Sequence, residues 1–123
     1  MAWTLSDDRP IYLQLIERLK LGIVSGDYPP GSRMPSVREL AADAAVNPNT
    51  MQRAFSELER EGLVYAQRTS GRFITEDQQM LEGMKRGLAE EAIAQFLENM
   101  ARLGYGREET MRMLERQTGK EGL

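Results

Sequence analysis

Ile11, Leu15, Leu19 and Ile23 recur every four residues, and Tyr12 and Ile16 widen the stripe. That period puts them on one face of a helix predicted from about Pro10 to Ser25. Asp7 or Asp8 is the expected cap, and Pro10, whose φ is already helical, the expected first-turn residue. Gly26 ends the pattern, and Pro29-Pro30-Gly31 forbids its continuation. A second helix is predicted from Ser36, because Ser36 and Glu39 supply the S-x-x-E of a reciprocal capping box. Val37, Leu40, Ala41 and Ala44 form its apolar side, and it stops at about Ala45. Asn47-Pro48 opens a third helix, with Asn47 as N-cap and Pro48 at the first helical position. Met51, Ala54, Phe55 and Leu58 face inward, and Gly62 is the expected left-handed stop.

The pattern then changes. Leu63 to Arg68, Thr69-Ser70-Gly71, and Arg72 to Thr75 read as strand, tight turn and strand. From Asp77 to about Leu103 one long helix is predicted, with Leu81, Met84, Leu88, Ala89, Ile93, Phe96, Met100 and Leu103 read as one apolar stripe. Gly104-Tyr105-Gly106 breaks it, a short helix follows over about Arg107 to Gln117, and the tail from Gly119 to Leu123 is expected to fray. Two short helices meeting at a tight turn, followed by a hairpin, suggest a winged helix-turn-helix. The expected fold is mainly α with a small β-hairpin. Residues 1–75 form the winged domain and residues 76–123 a helical dimerisation tail with two helices.

Length and composition narrow the chemistry. At 123 residues the chain suits one small domain with an appendage. It has neither cysteine nor histidine, so disulfide scaffolds, Cys/His zinc sites and imidazole catalysis are excluded. No apolar run approaches the roughly 18 residues of a membrane span, and no signal peptide is recognised, so a cytoplasmic location is expected. Glu90-Glu91 and Glu108-Glu109 are adjacent pairs that point apart on a helix, so no enzyme is expected and no cofactor is implied. The net charge of −3 argues mildly against a nucleic-acid partner, but it is unevenly placed. Residues 1–75 balance nine basic against nine acidic side chains, so the whole deficit lies beyond them. What governs phosphate binding is local placement of charge.

Several spaced motifs carry a resemblance. Pro10-Ile11-Tyr12-x-Gln14-Leu15, the run Pro30-Gly31-Ser32-Arg33-Met34-Pro35-Ser36-Val37-Arg38-Glu39-Leu40-Ala41, Asn47 to Ala54, and Leu58-Glu59-x-x-Gly62-Leu63 are in this order. They resemble the DNA-binding domain of GntR-family bacterial transcription regulators, over about residues 8–75. The short helical remainder is similar to the tail of the family's YtrA-type branch. The resemblance implies a sequence-specific transcription regulator, often a repressor, that binds a double-stranded operator.

The third helix fits that expectation. Its outward residues Asn49, Gln52, Arg53 and Ser56 are neutral-polar or basic, whereas Glu57, Glu59 and Glu61 crowd the far end. Carboxylates beside phosphates are costly, so the helix is expected to enter a major groove by its N-terminal half. Asn and Gln pair with adenine and Arg with guanine, which makes Gln52 and Asn49 the leading base readers. Arg53 reaches a base or a phosphate, and Asn47 and Thr50 complete the set in the first turn. The resemblance assigns Arg38 to DNA; the alternative is an ion pair with Glu39 or Asp43. Arg33 and Ser36 lie beside it as phosphate ligands. Arg68, Thr69, Ser70 and Arg72 form the expected wing tip, at a minor groove whose potential attracts arginine. The family pattern has glycine where Thr69 stands, and many helix-turn-helix turns have glycine where Ala45 stands.

One short helix and one wing bury too little to discriminate a genomic site, so a homodimer on a palindromic operator is expected. Leu81, Met84, Leu88, Ile93, Phe96, Met100 and Leu103 are the expected interface, among five of the chain's eight methionines. Any small-molecule effector would sit at that interface or near the domain junction. The rival reading is a winged-helix module that binds protein and not DNA.

Overall fold

A computed structural model describes residues 3–120, the side chain of Lys120 excepted. The described chain runs α1 (Ile11–Ser25), α2 (Val37–Ala44), α3 (Pro48–Arg60), β1 (Val64–Gln67), β2 (Gly71–Ile74), α4 (Gln78–Arg102) and α5 (Arg107–Lys120). It divides into two compact units, residues 1–85 and 86–123. The division falls inside α4, later than the change in composition near residue 75.

The first unit is built on three helices. The inward stripes of α1, α2 and α3 meet in one core, where Leu15, Leu19, Met51, Phe55 and Leu58 are fully buried. The core continues into Leu63, Val64 and Ile74, so the hairpin is bolted to the helices by its base. β1 and β2 pair antiparallel, with Val64 opposite Ile74 and Tyr65 opposite Phe73. The Tyr65 and Phe73 rings stack at 6.0 Å between centroids, a cross-strand pair that stiffens the hairpin.

Three expectations needed correction. α1 has Pro10 as its N-cap residue and no side-chain cap, so Pro10 lies one position before the first turn. Asp8 instead accepts a hydrogen bond from the Ser6 hydroxyl. A capping side chain has to sit at the N-cap itself, and Pro10 occupies it. The segment before α1 is held by Gln14, whose buried amide donates to the carbonyls of Ser6 and Arg9 and accepts from the Ser6 amide.

The second correction concerns the hairpin's outer edge. Residues 31–34 lie along β2: Gly31 N–H donates to Ile74, Ile74 N–H to Ser32, and Met34 N–H to Arg72. Arg33 and Phe73 form a bridge, so a third extended segment covers β2. Pro29-Pro30-Gly31 reads as a turn and hides that short extended segment from any periodicity.

The third correction concerns α4, which Asp77 caps through its carboxylate to the amides of Gln79 and Met80. Its apolar positions do not form one stripe. The five-residue step from Leu88 to Ile93 moves the second group about 100° round the helix from the first. Leu81 and Met84, expected at a subunit interface, pack against the first unit's own core. Both are half-buried, so part of their apolar surface is used within the chain.

In the second unit α4 ends at Arg102 and α5 begins at Arg107, with the expected break between them. Thr110 is buried, its hydroxyl donating to the Gly106 carbonyl at 2.8 Å. Ile93, Phe96, Leu97, Leu103, Met111 and Leu114 are all exposed, and Leu103 keeps 71% of its surface. α5 runs past Gln117 to Lys120. Of the tail expected to fray, residues 121–123 lie outside the described residues.

Candidate nucleic-acid interface

The turn between α2 and α3 sets the geometry of the site. Ser36 caps α2, its hydroxyl accepting from the Glu39 amide at 3.0 Å, while the Glu39 carboxylate accepts from the Ser36 amide. α2 ends at Ala45, which is the only non-glycine with positive φ among the described residues, at +57°. Its amide, and that of Val46, close back onto Ala41 and so turn the chain sharply. Asn47 then caps α3 by accepting from the Asn49 amide at 2.7 Å. The expected DNA ligands Ser36 and Asn47 therefore have structural duties as well.

α3 presents Asn49, Gln52, Arg53 and Ser56 to solvent and buries Met51, Ala54, Phe55 and Leu58. Thr50 is half-buried. Gln52 makes one long hydrogen bond to Ser56, at 3.3 Å, so its amide is readily released. Arg53 sits over the Tyr12 ring, 3.6 Å from its centroid. Arg38 is exposed on α2, and neither acid weighed as its partner pairs with it. Asp43 accepts from the Trp3 indole at 3.0 Å, and Glu39 belongs to the capping box.

The wing divides differently from the sequence expectation. Its exposed tip is Arg68-Thr69-Ser70, with the Ser70 amide closing onto Gln67. Thr69 has an ordinary φ; the positive φ falls two residues later, at Gly71, +101°. Beside Gly71 lies Arg33, whose Nε would stand 2.9 Å from any Cβ placed there. Arg72 is not at the tip. It lies in β2, half-buried, its Nε 2.5 Å from the Glu59 carboxylate and its guanidinium 5.3 Å from the Phe55 ring centre. Arg33, Ser36, Glu39 and Arg72 line one cavity of about 370 Å³ between the start of α2 and the wing.

The charges sort themselves consistently. Glu57 pairs with Arg60, Glu59 with Arg72, and Glu61 with Lys20 at 2.9 Å. The Arg60 guanidinium holds the Glu57 carboxyl below the usual carboxylate range, so it stays ionised and paired at neutral pH. All five acids of residues 33–72 are thus engaged inside the chain. By contrast, Arg33, Arg38, Arg53 and Arg68 have no carboxylate partner among the described residues. The sequence located the acids correctly at the far end of α3, but pairing across 13 residues, as in Arg72–Glu59, left no local signal.

This geometry has known counterparts. The model for bacterial regulatory proteins of the gntR family matches residues 11–74, from the start of α1 to the end of β2. The chain belongs to the GntR family. Members of this family are helix-turn-helix transcription regulators that bind DNA, and this chain carries that domain as α1 to β2. The HTH-type transcriptional repressor YtrA of Bacillus subtilis is 40% identical over 90 residues, covering 72% of this chain and 68% of that protein. A GntR family transcriptional regulator from Listeria monocytogenes is similar in structure over 91% of this chain and 98% of its own, with a TM-score of 0.80 and 35% identity. The similarity to that structure therefore extends past the winged domain into the tail. The DNA-binding domain of AraR in complex with operator ORX1 matches 61% of this chain and 92% of its own, at 28% identity and a TM-score of 0.53. Among the described residues, no helix is long and apolar enough to cross a membrane.

Proposed function

We propose that this GntR-family chain is a repressor that binds a palindromic operator as a homodimer, with α3 in the major groove and the wing at the minor groove. The observation that carries the DNA-facing assignment is the sorting of charge. Arg33, Arg38, Arg53 and Arg68 have no carboxylate partner among the described residues, while Glu57, Glu59 and Glu61 at the far end of α3 are each paired with a cation of this chain. An interaction module that binds protein has no need of unpaired arginines on the helix-turn-helix and the wing together. Asn49 and Gln52 then meet base edges, and Arg33, Arg38 and Arg68 meet phosphate or the minor groove. Arg72, tied to Glu59, supports the wing from behind.

A homodimer is supported by the exposed apolar side chains of the second unit. Ile93, Phe96 and Leu103 lie on the later face of α4 with half-buried Met100, and Ile93 and Leu103 keep more than half of their surface exposed among the described residues. Leu88, half-buried, stands at the change of face. The repressor reading leans on the printed name of YtrA. Titration of the protein against random duplex DNA over a range of salt tests DNA binding directly. A fall in log affinity with log salt, with a slope of several units, is the expected result. Binding that is absent, or indifferent to salt, would favour the protein-interaction reading.

A further inference from the structure

The groove between the start of α1 and the start of α3 brings a residue of the first helix against the reading face of the third. Pro10, Ile11, Tyr12, Asn49, Thr50 and Arg53 line it, around an open space of about 570 Å³. Tyr12 is half-buried and packs against the core, so its ring is fixed. Arg53 is exposed, lies next to the candidate reader Gln52, and has no carboxylate partner. Its guanidinium carbon sits over the Tyr12 ring, 3.6 Å from the centroid.

The geometry points to Tyr12 as a positioning residue that sets operator selectivity through Arg53. This rests on the reading of α3 as the base-reading helix. An arginine side chain has many rotamers, and fixing it on binding costs entropy. A guanidinium carries its N–H donors at its edge, so an aromatic face beneath it restrains the group without consuming a donor. Carboxylate pairing would do the opposite, since it spends donors and cancels charge. Tyr12 thus holds Arg53 in place before DNA arrives, which lowers the cost of the contact. Gln52, held only by its long bond to Ser56, has no such support.

The test is a double-mutant cycle on the sequence that the wild type enriches from a random duplex pool. Tyr12→Leu should weaken that site about two- to fivefold, the range of an exposed cation–π contact. It should also relax base preference at the same operator position as Arg53→Ala. Tyr12→Phe keeps the ring and should match the wild type in both respects. In an Arg53→Ala background, Tyr12→Leu should have no further effect on selectivity or affinity. A Tyr12→Leu loss that persists undiminished in that background, a Tyr12→Phe loss as large as that of Tyr12→Leu, or a uniform loss across all sequences would overturn the inference alone. Failure of the wild type to enrich any sequence would overturn the reading of α3 and this inference with it.

Discussion

Ala45 holds a backbone conformation that suits glycine better than alanine. Its φ of +57° is needed to turn α2 into α3, and a Cβ in that region costs about 1–2 kcal/mol. Ala45→Gly should therefore stabilise the protein by up to about 1 kcal/mol once glycine's larger loss of entropy is subtracted. Thermal unfolding would check this, and a lower midpoint would contradict it. On α3, Gln52→Ala and Asn49→Ala should each cost about 1–3 kcal/mol on the best site and little on random DNA. Equal losses on all sequences would make them phosphate contacts instead. The caps of α2 and α3, unlike the one expected for α1, were legible in the sequence because their partners lie two or three positions away: Ser36 with Glu39, and Asn47 with the Asn49 amide. Arg72 was misplaced because its partners, Glu59 and Phe55, are brought to it only by the folded hairpin.

The wing separates two kinds of arginine at the scale of the element. Arg68 stands on the exposed tip, whereas Arg72 links β2 to α3. Arg68→Ala should leave stability unchanged and reduce the slope of log affinity against log salt by up to about one unit. Arg72→Ala should act the other way, lowering stability by about 0.5–1 kcal/mol because the pair and its packing on Phe55 are lost. If the two variants prove indistinguishable in melting and in salt slope, the division of the wing is wrong. Helices α1 to α3 were legible because their apolar periods are regular, with Gly26 after α1, Gly62 after α3 and Asn47-Pro48 opening the next helix after α2. The extended run of residues 31–34 was not, since it is defined only by the hydrogen bonds of β2. The change of face along α4 was hidden too, because spacings of three, four and five look alike until each is placed on the helix.

For the whole molecule, the division of labour along α4 decides how two copies would meet. Leu81 and Met84 pack against the core of the winged unit, and in the proposed dimer Ile93, Phe96 and Leu103, which are exposed, would meet the partner together with Met100. Phe96→Glu would then bury an unpaired carboxylate on both sides of a two-fold axis, which is costly. The variant should sediment as a monomer with the winged unit still folded, and lose most operator affinity while keeping weak, salt-sensitive binding. A variant that stays dimeric would place the interface elsewhere. Length and helical pattern made the tail legible as two helices, but apolar periodicity does not say whether a face is covered by its own chain or by another. The central claim is a two-fold reader of DNA sequence, and selecting bound duplexes from a random pool tests it most directly. The account predicts an enriched inverted repeat, with half-site centres separated by about one helical turn or a multiple of it. Enrichment of a single unrepeated site, or of no sequence at all, would contradict it.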